Sequence, residues 1–148
     1  MGAKSKAKAA SDATPIPQES PADELTAYCP DLEQWPRSWI YEERDLSHGQ
    51  QMVECFKPFL RHLVSSGQSR KTVRSHRDNL WILGGEIISK LHEGPQLRKR
   101  PIDQTLLAFL DDEGGPLISH ESEDHQRSFD STCLKFYRFL KERNTGGQ

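Results

Sequence analysis

Apolar positions recur at helical spacing in four stretches of the chain. Met52, Val53, Phe56, Phe59, Leu60, Leu63 and Val64 follow the i, i+3, i+4, i+7 pattern and predict a helix over about Ser47 to Ser66. Pro58 falls inside it, so a kink or a late start is expected there. On a wheel of about 100° per residue, Val73, Leu80, Leu83, Ile87 and Leu91 share one side of a second helix over Ser69 to Leu91. Ile102, Leu106, Phe109 and Leu110 predict a short third helix, Ile102 to Leu110. Phe129, Cys133, Phe136 and Leu140 form a stripe at steps of 4, 3 and 4, and predict a fourth over about Ser122 to Arg143. No stretch alternates convincingly as a strand. The expected fold is all-α, a compact bundle of four main helices with short connections.

The breaks between these stretches carry their own signals. Gly67 is a natural stop for the first helix, because glycine takes the left-handed C′ conformation without steric cost. Ser69 is a good N-cap for the second. Gly84-Gly85 costs that helix some propensity and points to close approach of another helix, with a hinge as the alternative. Gly94-Pro95 ends it, and Asp111 to Pro116 stops the third. Residues 25–46 hold Tyr28, Trp35, Trp39 and Tyr41 among prolines and acids. They read as an ordered lead-in that lays aromatics onto the helices, since Pro30 and Pro36 interrupt helical spacing. Residues 1–24 read as a disordered tail and residues 144–148 as a flexible end, leaving residues 47–143 as the helical domain.

At 148 residues the chain suits one domain, and a hydrophobic fraction of 34% suits a core that does not extend through all of it. No apolar run is long enough for a membrane span, and the N-terminus lacks the apolar block of a signal peptide. Lys6 stands where a myristoylation pattern expects Ser or Thr. A cytoplasmic protein without membrane contact is the expectation. Cys29, Cys55 and Cys133 are widely spaced and odd in number, which argues against a disulfide framework and against zinc. Cys55 and Cys133 sit in apolar helical patterns and read as small core residues.

The net charge of −2 hides an asymmetry. Residues 57–100 hold ten Lys or Arg against three Asp or Glu, and the rest of the chain holds ten against nineteen. Arg70, Arg74 and Arg77 open the second helix away from its apolar side, where cations oppose the helix dipole. Something other than helix stability is expected to place them there, and a polyanion is the simplest candidate. Arg98-Lys99-Arg100 adds to the positive region. On the fourth helix Arg127, Lys135, Arg138 and Lys141 lie close to the side opposite the stripe, together with Leu134, which breaks the pattern. Lys4, Lys6 and Lys8 can brush a phosphate backbone or simply solubilise the tail.

No catalytic constellation is present. There is no G-x-S-x-G, no P-loop glycine run and no H-E-x-x-H. His120 and His125 with Glu121, Glu123 and Asp124 match no metal-ligand spacing, and a solvated helix start explains them better. Asp111, Asp112 and Glu113 precede no oxygen-rich calcium loop and are expected to point into water. His76 is read as a residue at the edge of the second helix's core face. Neither a metal nor a cofactor is expected.

The stretch FKPFLRHLVSSGQSRKTVRSHRDNLWILGGEI, residues 56–87, resembles the N-terminal core-binding domain of tyrosine recombinases of the phage-integrase type. Phe56, Phe59, Leu60, Gly67, Ser69, Thr72, Val73, His76 and Leu80 match that family's loose signature, and Phe129 to Leu140 is similar to the aromatic-rich run that closes the domain. The resemblance covers about residues 47–143. It implies a small helical module of the SAM-like type that clamps duplex DNA. Carried over, it points to Arg70, Lys71, Arg74, Arg77, Lys135, Arg138 and Lys141 as DNA contacts.

The catalytic half of that family is not matched. The residues three after each histidine are Gln51, Ser65, Asn79, Pro95, Glu123 and Ser128, so no His-x-x-Arg exists, and Tyr137 sits mid-helix rather than as a nucleophile. The resemblance therefore implies DNA contact without strand cleavage, in a setting of DNA integration or recombination. The alternative is a protein-interaction or accessory module that pairs with a recombinase-type protein or with itself. Trp81, one turn beyond Arg77, is expected to pack under the fourth helix or to stack on that guanidinium.

Overall fold

A computed structural model describes residues 21–118 and 122–146. The tail before Pro21, with Lys4, Lys6 and Lys8, lies outside the described residues, as do His120, Glu121 and the last two residues. Among the described residues the fold is all-α. Six helices follow in order: α1 Pro21–Tyr28, α2 Trp35–Trp39, α3 Leu46–Ser65, α4 Arg70–Glu93, α5 Ile102–Phe109 and α6 Glu123–Gly146. Short 3-10 turns at Leu32–Gln34, Glu43–Asp45 and Pro95–Lys99 join them. The four expected helices are α3 to α6. The lead-in is more helical than its prolines indicated, because Pro36 falls in the first turn of α2, where a helix needs no backbone N–H.

Helix α3 begins at Leu46 and runs through Pro58, so the late start is not observed. Gly67, at φ 82°, follows it in the left-handed region. The Ser69 hydroxyl then accepts the Thr72 backbone N–H at 3.1 Å, the cap that opens α4. Helices α3, α4 and α6 build the core. Phe136 of α6 packs against Phe56 and Phe59 of α3, with ring centres 5.4 and 5.1 Å apart. Val73, Leu80, Leu83 and Ile87 of α4 are fully buried beside them. Each such side chain removed from water contributes about 1.5–3 kcal/mol. Cys133 is buried and Cys55 half-buried, and all three cysteines are free.

The short helix α2 adds two tryptophans to this packing. Trp35 and Trp39 of α2 are buried, each with its ring centre 6.3 Å from that of Phe56. Trp39 also lies against Gly84, and its Nε1 donates to the Trp81 carbonyl at 2.9 Å. The glycine pair in α4 thus marks close approach of another helix. Among the described residues no helix is long and apolar enough to cross a membrane.

Candidate nucleic-acid interface

The seam between α4 and α6 is polar as well as apolar. His76 Nδ1 lies 2.7 Å from Thr132 Oγ1, and Asn79 Nδ2 donates to Thr132 Oγ1, Ser128 Oγ and the Ser128 carbonyl at 2.9–3.2 Å. Higher numbers on α4 meet lower numbers on α6, so the two helices run antiparallel. Burial, and after it the charge of Lys135, lowers the pKa of His76. The core-edge reading of His76 thus becomes a buried hydrogen-bonded position.

This seam fixes where the cationic residues stand. His76 and Asn79 turn one flank of α4 toward α6. At about 100° per residue, Arg70, Arg74 and Arg77 fall on the other flank. There Arg70 stands over the Tyr28 ring at 5.2 Å, and Arg77 Nη1 donates to the Tyr28 carbonyl at 2.8 Å. Lys135 and Arg138 instead line a groove of about 210 Å³ with Phe59, His62 and Phe139. Lys141 stands over Tyr137 at 5.3 Å. Arg70 and Arg77 thus stand beside Tyr28, and Lys135 and Arg138 beside Phe59, His62 and Phe139.

They also differ in freedom. Arg77 is held by Asp78, with Nη2 and Nε 2.7 and 3.1 Å from Oδ1. Burial draws its pKa down, but the hydrogen bond and charge of Asp78 outweigh that, and the net direction is up. Arg77 thus ties α4 to α1 through the Tyr28 carbonyl. Arg70, Lys71 and Arg74 are exposed, and among the described residues no carboxylate lies within ion-pair distance of them. The first turn of α4 also contains no acid. Lys135, Arg138 and Lys141 are exposed and likewise unpaired among the described residues.

Two further expectations are corrected. Arg98 does not extend the positive surface. Its side chain is 10% exposed, and Nη2 sits 2.6 Å from Oδ1 of the buried Asp45 and 3.8 Å from Glu42 Oε2. Trp81 neither packs under α6 nor stacks on Arg77. It is 43% exposed on the α2 side, where Nε1 donates to Ser38 Oγ at 2.9 Å. Leu134 is half-buried rather than exposed.

Glu42, Asp45 and His92 bring three potential ligand atoms within 4.8 Å of one another, a grouping the sequence reading missed. The Arg98 guanidinium already supplies the positive charge there, and Asp45 Oδ2 accepts the backbone N–H groups of Tyr41 and Glu42 at 3.0 and 3.1 Å. The cluster, with Asp45 buried, His92 half-buried and Glu42 exposed, braces the start of α3 against α4 and the turn after it. Asp111, Asp112 and Glu113 are exposed. Burial raises the thiols of Cys29 and Cys55, to about 12 and about 11, and raises Cys133 further, so none is an activated nucleophile.

No protein-family model matches the chain, and no curated protein or solved structure is similar enough to it to match.

Proposed function

We propose that the chain is a non-catalytic, cytoplasmic module that binds duplex DNA, in the manner of a recombinase core-binding domain and in a setting of DNA integration or recombination. The observation that carries this reading is the trio Arg70, Lys71 and Arg74. All three are exposed on the opening turns of α4, and no carboxylate among the described residues pairs with them. Cations so placed weaken the helix dipole and stay available to phosphates. Lys135, Arg138 and Lys141 form a second basic group that extends the contact. Affinity comes from neutralised phosphates and released counterions.

The test is binding to a mixed-sequence duplex across a salt series. The three contacts of the trio contribute about −3 to the log–log slope, and the second basic group adds to it. Arg70→Glu with Arg74→Glu removes most of the trio's contribution and of the affinity. Equal, weak binding by the native chain and the double variant at low salt would falsify the reading. A second reading, a protein-interaction or accessory module, draws on the half-exposed Trp81 at an open groove.

A further inference from the structure

Between α2 and α4 lies a groove of about 350 Å³, lined by Asp31, Trp35, Arg77, Asp78, Trp81 and Ile82. Its exposed wall is the Trp81 indole. That ring does not swing freely, because Ser38 Oγ holds its Nε1 at 2.9 Å. A fixed aromatic face loses little entropy when a ligand covers it. The groove's two carboxylates are not equivalent. Asp78 is spent on Arg77 at 2.7 Å. Asp31 has no side-chain hydrogen bond or ion pair among the described residues, and acts on Arg77 only through its charge, so two carboxylates share one guanidinium. Arg77 cannot turn toward a ligand, since Asp78 and the Tyr28 carbonyl hold it.

The charge left over in the groove is therefore negative, beside an aromatic face whose quadrupole attracts cations. A phosphate is repelled from such a place, and an anionic peptide likewise. We infer that this groove binds an arginine or lysine side chain of a partner polypeptide, with the cation over Trp81 and its charge answered by Asp31. Both features act on one group, and the indole face also covers the apolar stem of such a side chain. The groove lies further along the flank of α4 that carries Arg70 and Arg74, and the inference does not rest on the DNA reading.

The test uses the full chain and the three tryptophan indole N–H signals in a nitrogen–proton correlation spectrum, with Trp81 assigned by Trp81→Phe. The probe is a short capped peptide alternating glycine and arginine. The expected result is a saturable shift of the Trp81 signal. The counterpart with glutamate for arginine leaves the signal in place. Asp31→Asn, a surface change that keeps the side-chain shape, weakens binding about threefold to fivefold, and added salt does the same. Arg70→Glu with Arg74→Glu leaves peptide affinity intact or raises it, so loss of DNA binding and loss of this site are read separately. The inference is overturned by an equal response to both peptides, by unchanged affinity in Asp31→Asn, or by no shift at millimolar peptide. A shift produced by a single-stranded oligonucleotide but not by the arginine peptide overturns it as well, and assigns the groove to base stacking.

Discussion

The indole of Trp39 fills the space that a side chain on Gly84 would need. A Cβ on Gly84 would stand 2.6 Å from Trp39 Cε2, well inside contact distance, whereas one on Gly85 would lie 3.4 Å from Trp39 Cδ1, an ordinary contact. Trp39 cannot retreat cheaply, because its Nε1 is bonded to the Trp81 carbonyl and its ring packs on Trp35 and Phe56.

Adjacent glycines therefore respond oppositely to alanine. Gly84→Ala is expected to cost about 2 kcal/mol by overpacking, a fall in Tm on the order of 5–10 °C. Gly85→Ala gains helix propensity and is expected to stabilise by about 0.5–1 kcal/mol. Thermal melts of the two variants check this, and equal destabilisation by both would count against the packing account.

Asp45 and Arg98, 53 positions apart, form an ion pair at 2.6 Å with side chains 1% and 10% exposed. Removing Asp45 leaves Arg98 with only the more distant Glu42 carboxylate, and removing Arg98 leaves the buried Asp45 carboxylate without its closest cation. Asp45→Asn and Arg98→Met are each expected to cost about 3 kcal/mol or more, and the double variant less than the sum of the two. A double-mutant cycle by urea denaturation measures the coupling.

The hydroxyl of Thr132 serves both His76 and Asn79, so Thr132→Val is expected to cost about 1–3 kcal/mol. Burial and Lys135 hold His76 below its ordinary value of 6.5. Below that value the unfolded chain takes up a proton that the folded chain resists. The contribution of His76 is thus fully present above about pH 6.5 and is lost as the pH falls through its lower folded value. Urea midpoints at about pH 7.5 and about pH 5.5 should differ more for the native chain than for His76→Gln, which cannot titrate.

Arg74 and Arg77 separate binding from folding. Arg77→Ala breaks the link to Tyr28 and Asp78 and is expected to lower stability by about 1 kcal/mol, with little change in duplex affinity. Arg74→Ala is expected to leave stability within about 0.5 kcal/mol and to reduce the salt slope by about 1. Denaturation and duplex titration on the same two variants decide it. The reverse pattern, with Arg77 carrying the affinity, would overturn the division made above.

Much of the scaffold was legible in the order of residues. The stripe Phe129, Cys133, Phe136 and Leu140 is buried, and Ser69 caps α4 through its hydroxyl. Both follow from local physics, namely helical periodicity and the unpaired N–H groups of a first turn. The lead-in was less legible, because Pro36 reads as a breaker until its place in a first turn is known. The cationic residues were legible as a flank of α4 but not as free or bound. A wheel shows direction from an axis, and it does not show that Asp78 and the Tyr28 carbonyl wait for Arg77.

The amino-acid order by itself determined an all-α fold, the existence and approximate ends of helices α3 to α6, and the absence of a recombinase's catalytic histidine and arginine motif. Those features depend on spacing within one segment. Only the tertiary structure decided which charges are spent. It put Arg98 on Asp45 and Arg77 on the Tyr28 carbonyl, and left Arg70, Lys71 and Arg74 unpaired among the described residues. The same holds for the groove beside Trp81, whose walls come from α2, α4 and the loop between α1 and α2. A charge's availability depends on neighbours brought close through space, and distance along the chain does not report them.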